Sequence, residues 1–129
     1  MSWQARLALG YRRESTRTLA SDRHEGPLRV LKALYPEGPG ICHHVLVHPP
    51  GGIAGGDRLD IDIVVETDAH ALLTTPGATR FYRSAGAHAH QSVRIGLQRG
   101  ARLEWLPMAT IAYDGCLAQN RVHFTLDDD

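Results

Sequence analysis

Ala69-His70-Ala71-Leu72-Leu73-Thr74-Thr75-Pro76-Gly77-Ala78-Thr79-Arg80-Phe81-Tyr82 is followed, at an offset of 31, by Gly100-Ala101-Arg102-Leu103-Glu104-Trp105-Leu106-Pro107-Met108-Ala109-Thr110-Ile111-Ala112-Tyr113. Each stretch carries an alternating apolar run and then Pro-x-Ala-Thr-x-x-Tyr. Carrying the offset onward sets Val93 against Phe124 and Ile95 against Leu126. A fixed period of this size marks supersecondary units that bury their faces on one another. Residues 69–95 and 100–126 are therefore expected to superpose as successive, strand-rich units.

The rest of the chain reads the same way. Ala5, Leu7, Leu9 and Tyr11 alternate with polar or small residues, as do Leu59, Ile61, Ile63 and Val65 against Arg58, Asp60, Asp62 and Glu66. This two-residue period belongs to a strand with one buried face. Val93, Ile95 and Leu97 form another set, and Val122, Phe124 and Leu126 a further one. Ile41 to His48 is a β-branched-rich run closed by Pro49-Pro50. Turn clusters stand between them at 36–40, 49–56, 76–77, Gly86 and Asp114-Gly115, and they leave few gaps for a helix. The expected fold is all-β, a β-helix-like stack with at most one or two short helices, and residues 1–129 read as a single β-rich domain. A strand at Arg121 to Leu126 is followed only by Asp127, Asp128 and Asp129. Such a strand invites pairing along its open edge.

Composition removes several function classes. Thirteen Arg and one Lys balance fourteen acids for a net charge of zero, and acids alternate with the arginines. Nucleic-acid binding needs a basic field that this distribution does not create. No apolar run approaches the roughly 20 residues of a bilayer span, so no membrane partner is expected. Trp3, Gln4 and Arg6 interrupt the start where a signal peptide needs an apolar stretch. Two cysteines, Cys42 and Cys116, make no disulfide framework, and a reducing, cytoplasmic location is expected.

The densest chemical feature is His48-Pro49-Pro50-Gly51-Gly52-Ile53-Ala54-Gly55-Gly56-Asp57. A phosphate-binding loop would end in Gly-Lys-Ser/Thr and open a helix. This one ends in an acid and opens a strand. Asp57 shares the odd numbering of Leu59, Ile61 and Ile63, so a strand extended back through it turns the carboxylate inward. Arg80 is a candidate partner for it. Cys42 and His44 lie two apart in a strand, on one face and about 7 Å apart. Thiolate and imidazole suit nickel, copper or zinc, so Cys42, His44 and Asp57 are the candidate metal ligands. His88 and His90 make a second His-x-His pair, but the Glu that a cupin-type enzyme would place shortly afterwards is absent from Gln91 to Ile95. Ser84 sits in Arg83-Ser84-Ala85-Gly86 and not in a nucleophile elbow. Asp60 and Asp62 belong to a solvated face. The residues alone indicate a β-rich binding protein. A free-standing solenoid binding module and a metal-dependent β-barrel enzyme are the alternatives.

Six ordered motifs carry a family resemblance. They are Arg23-His24-Glu25-Gly26-Pro27-Leu28-Arg29-Val30, Tyr35-Pro36-Glu37-Gly38, the loop from His48 through Gly55-Gly56-Asp57, Leu72-Leu73-Thr74-Thr75-Pro76, Thr79-Arg80-Phe81-Tyr82-Arg83-Ser84 and Leu103-Glu104-Trp105-Leu106-Pro107. Together they resemble the urease accessory protein UreD (UreH) family, over essentially the whole chain, which matches the N-terminal half of longer relatives. The resemblance implies a non-enzymatic urease maturation factor, a metallochaperone or scaffold that docks on apo-urease with the accessory proteins UreF and UreG, the latter a GTPase. It implies nickel in transit with no tightly bound cofactor. It also maps a nickel passage or partner contact onto Gly55, Gly56, Asp57, Arg80, Tyr82 and Ser84. The chain departs from the family pattern at Ala109, where relatives usually carry a glutamate.

Overall fold

Eleven strands account for most of the chain, and no helix occurs among the described residues. The computed structural model describes residues 4–48, 52–77, 79–84 and 86–127. β1 (Gln4–Glu14) and β2 (Arg17–Glu25) form an antiparallel hairpin, and the two-residue β3 (Arg29–Val30) pairs antiparallel with β4 (Ile41–Val47). From β4 onward the chain runs in circuits. The first is β4, the bridging residue Ile53 and β5 (Arg58–Val65); the second is β6 (His70–Thr74), β7 (Thr79–Phe81) and β8 (Ala89–Leu97). The third is β9 (Arg102–Leu106), β10 (Thr110–Ala112) and β11 (Ala118–Leu126).

Each strand pairs in parallel with its equivalent one circuit away. The result is a five-stranded sheet β11-β8-β5-β1-β2, a four-stranded sheet β3-β4-β6-β9 and a small sheet β7-β10 to which Ile53 adds a bridge. Alternation places one side of β1, β4, β5, β6 and β8 inside the stack. The inner row of β4 is Cys42, His44 and Leu46; that of β5 is Leu59, Ile61, Ile63 and Val65; Ala71 and Leu73 line β6, and Val93 and Ile95 line β8. β1 covers the open end of the first circuit with Ala5, Leu7, Leu9 and Tyr11. Each large apolar side chain sealed in this way contributes about 1.5–3 kcal/mol.

The all-β class is as expected, and the repeat stacks as successive units, but its register is not uniform. His70 pairs with Arg102, an offset of 32, whereas Thr79 pairs with Thr110 at 31. Val93 faces Val122, Ile95 faces Phe124 and Leu97 faces Leu126, all at 29. The expected pairings of Val93 with Phe124 and Ile95 with Leu126 are therefore corrected by two residues. The corners explain the first slip. Asp68 and Gly100 both adopt left-handed backbone angles, φ 62° and 72°, and occupy equivalent turn positions. Ala69 N bonds Glu66 O at 3.0 Å, and Ala101 N bonds Gln98 O at the same distance. The turn thus aligns Ala69 with Ala101 rather than with Gly100, because the corner requires the positive φ that glycine adopts most readily.

The two ends of the stack differ. The third circuit leaves Leu106, Met108, Ile111, Tyr113, Val122, Phe124 and Leu126 exposed, with Phe124 at 52% and Leu126 at 65% of full accessibility.

Candidate functional site

The glycine loop closes on itself immediately before β5. Asp57 N donates to Ala54 O at 3.0 Å, and Ala54 N donates back to Asp57 Oδ2 at 2.9 Å. Gly56 holds φ at 90°, and its N–H reaches His88 O at 3.1 Å. His90 N then bonds Asp57 O at 2.9 Å, which ties the loop to the start of β8. As its odd numbering predicts, the Asp57 side chain faces inward and is only 1% accessible. Burying a carboxylate costs several kcal/mol unless it is hydrogen-bonded, and the amide at Ala54 offsets part of that cost.

The other positions assigned by family resemblance surround this loop. Ile53 N donates to Arg80 O at 2.7 Å and Tyr82 N to Ile53 O at 2.9 Å, so the loop lies beside β7 as a further strand would. A Cβ at Gly52 would run into the Tyr82 ring, and one at Gly55 would run into Ser84 Oγ. Both glycines are there for close approach. Ser84 is a positioning residue: its hydroxyl donates to Ala87 O at 2.5 Å and accepts from Gly86 N at 3.2 Å. Tyr82 stacks on Tyr113, its repeat equivalent, with ring centroids 5.6 Å apart. Arg80 is exposed at the mouth of a cavity of about 280 Å³. Leu46, Leu59, Ile61 and Trp105 form apolar walls of that cavity, and His48, Thr75 and Gln91 add polar groups.

His48 escaped the sequence reading, although the signal was present. It has the parity of the inner row Cys42, His44 and Leu46, but lies half-buried just beyond the end of β4, next to Pro49-Pro50. Burial lowers the pKa of its imidazole, and the charge of Asp57 acts in the opposite direction. Nε2 of His48 is buried and has no hydrogen-bond partner among the described residues.

Cys42 and His44 do share the inner face of β4, yet they lie in a different environment. The Tyr11 hydroxyl and His44 Nδ1 are 2.6 Å apart and buried. Burial pushes the Tyr11 phenol well above its ordinary pKa and the His44 imidazole below its own, so the phenol is the donor and Nδ1 the acceptor. Burial likewise raises the Cys42 thiol, and the neighbouring Tyr35 acts in the opposite direction. Among the described residues no three or more His, Cys, Asp or Glu side chains gather to hold a metal ion. His88 and His90 lie side by side, ring centroids 6.3 Å apart. Ala109, where the resemblance leads one to expect a carboxylate, is exposed, and its carbonyl accepts from Thr79 N at 3.0 Å. No helix among the described residues is long and apolar enough to cross a membrane.

Comparison with known proteins agrees with these motifs. The family model described as UreD urease accessory protein matches residues 4–129. The chain is 62% identical over 128 residues to the urease accessory protein UreD of Leptothrix cholodnii, covering 98% of this chain and 46% of that protein. It is 58% identical to its counterpart in Polaromonas naphthalenivorans over 126 residues (98% and 46%), and 62% identical to that of Variovorax paradoxus over 122 residues (95% and 44%). The chain thus spans a little under half the length of these curated relatives. A match that runs through every circuit, the glycine loop included, shows that the chain belongs to the UreD family of urease accessory proteins, which are not themselves enzymes.

Proposed function

We propose that this chain serves urease maturation as a nickel-insertion scaffold, acting on apo-urease in the cytoplasm together with the accessory proteins UreF and UreG. The observation that carries this reading is the loop at 52–57. It delivers a buried carboxylate, Asp57, immediately before β5, whose Leu59 and Ile61 line a cavity, on a backbone whose glycines admit Tyr82 and Ser84 at close range. An anionic oxygen attracts a divalent cation without the grip of a closed thiolate or imidazole cage. A delivery protein has to release its cargo, and the described residues contain no cluster of three or more metal-ligating side chains that would retain it.

On this reading nickel is cargo and Asp57 acts on it in passage. Arg80 and Tyr82 face outward at the same corner, where a partner protein would meet the cavity mouth. The test is deletion of the gene in its own host, followed by purification of urease. The expected result is a normal amount of urease polypeptide with a low nickel content, restored by the wild-type gene and poorly by Asp57→Ala. Fully nickel-loaded urease in the deletion strain would overturn the proposal.

A further inference from the structure

The five-stranded sheet has two edges, and they are built differently. β2 forms one, where Arg17, Asp22, Arg23, His24 and Glu25 are exposed, and charges of this kind discourage a further strand. β11 forms the other, and its inward-facing row of Val122, Phe124 and Leu126 is exposed and apolar. Two hydrogen bonds at the ends of this strand fix which backbone groups are already used. Ala89 N donates to Leu117 O at 2.8 Å, and Asp127 N donates to Leu97 O at 3.0 Å. The odd-numbered residues therefore point their N–H and C=O groups at β8, and the even-numbered ones turn theirs to the open edge. Val122, Phe124 and Leu126 thus offer apolar side chains and a hydrogen-bonding edge together.

The strand is complementary to itself. Laid antiparallel about a two-fold axis at Phe124, it sets Phe124 against the partner's Phe124, Val122 against the partner's Leu126 and Arg121 against the partner's Asp127. The first two are pairs of even-numbered residues, as the open hydrogen bonds require. The third is a non-hydrogen-bonded pair, in which side chains approach more closely. Arg121 and Asp127 are exposed, and neither side chain forms an ion pair among the described residues. Opposite charges directly across an antiparallel pair stabilise it, and like charges destabilise it. An axis at Val122 keeps the hydrogen bonds but sets Arg121 against the partner's His123, which offers no negative charge. Charge therefore selects Phe124. The same operation brings the two third circuits end to end, with exposed Met108, Ile111 and Tyr113 of each copy at the junction. We propose that two copies of this chain pair antiparallel through β11 about Phe124, joining their five-stranded sheets into one. Such a contact is isologous and closes on itself, so it leaves no β11 edge for a third copy.

The experiment is sedimentation equilibrium of the 129-residue chain and its charge-reversed variants, with circular dichroism to check folding. The wild-type chain is expected to sediment as a dimer. Arg121→Asp and Asp127→Arg each place like charges across the axis twice, and each is expected to weaken the dimer about tenfold or more. The double variant, Arg121→Asp with Asp127→Arg, restores opposite charges and is expected to regain the wild-type affinity. A double variant that dimerises no more tightly than either single one overturns the pairing. So does association of the wild-type chain beyond a dimer. A wild-type chain that stays monomeric overturns the proposal and leaves the edge to a strand from another protein or from a longer chain. Hydrogen exchange on the wild-type chain decides the matter even where a variant fails to fold. Dilution from dimer to monomer is expected to speed exchange at the Val122 and Phe124 amides far more than at His123 and Thr125, which bond β8. Equal change at all four overturns the register.

Discussion

Replacing Tyr11 by Phe removes one oxygen from the inside of the stack and leaves His44 Nδ1 without its donor. The two atoms lie 2.6 Å apart, and Tyr11 is completely buried while His44 is 3% accessible. Removing the phenol forfeits a hydrogen bond with a net value of about 0.5–1.5 kcal/mol and strands a buried acceptor; the combined loss is about 2–3 kcal/mol. A double replacement, Tyr11→Phe with His44→Leu, makes both sides apolar at similar volume and is expected to recover most of that loss. The sign of the pH dependence follows from His44. Burial lowers its pKa in the folded chain, so the unfolded chain binds more protons in mild acid. Stability is then full above about pH 6.5, the ordinary histidine value, and declines as the pH falls below it. His44→Leu is expected to flatten that decline. Urea unfolding followed by circular dichroism at pH 7.5, 6.5 and 5.5 measures all three variants. A Tyr11→Phe midpoint indistinguishable from wild type, or a double variant less stable than the single one, would refute the reasoning.

Gly52→Ala is expected to cost about 1–3 kcal/mol, the usual range for overpacking, because the added methyl meets the Tyr82 ring. Combining it with Tyr82→Ala, in thermal unfolding, is expected to recover part of the loss. Asp57→Asn keeps an oxygen for Ala54 N but removes the charge; it is expected to retain the native circular dichroism spectrum while binding nickel more weakly than wild type in calorimetry. The isolated chain is expected to self-associate through its third circuit, and Phe124→Lys with Leu126→Glu to shift sedimentation toward monomer. Because both side chains are more than half exposed, the double variant is expected to change stability by less than about 0.5 kcal/mol.

Alternation made β1, β5 and β8 legible, since their inward and outward residues differ sharply in polarity, whereas β4 was legible through its β-branched residues. The strand β2 was not legible. Its run Thr18-Leu19-Ala20-Ser21-Asp22-Arg23-His24-Glu25 is mostly exposed at the sheet edge, so no apolar period marks it. The repeat was visible through Pro76 and Pro107, but its register was not, because the connections between equivalent strands differ in length. Parity placed Asp57 inside and set Cys42 beside His44. It could not show that Tyr11, 33 residues earlier, occupies the His44 ring nitrogen. That contact depends on β1 lying across the end of the first circuit, which is a fact of topology. His48 was readable by the same parity, and Pro49-Pro50 concealed it.

The parallel stack also imposes an order in time. Each circuit hydrogen-bonds only with its neighbours, and the β1–β2 hairpin sits at one end while β9–β11 sit bare at the other. Such an array loses its outermost layer without disturbing the innermost. Amide protons of β5, held on both sides by β1 and β8, should therefore exchange last, those of β8 sooner and those of β11 soonest. The molecule would then record distance from its hairpin as a sequence of exchange lifetimes, a clock read from one end to the other.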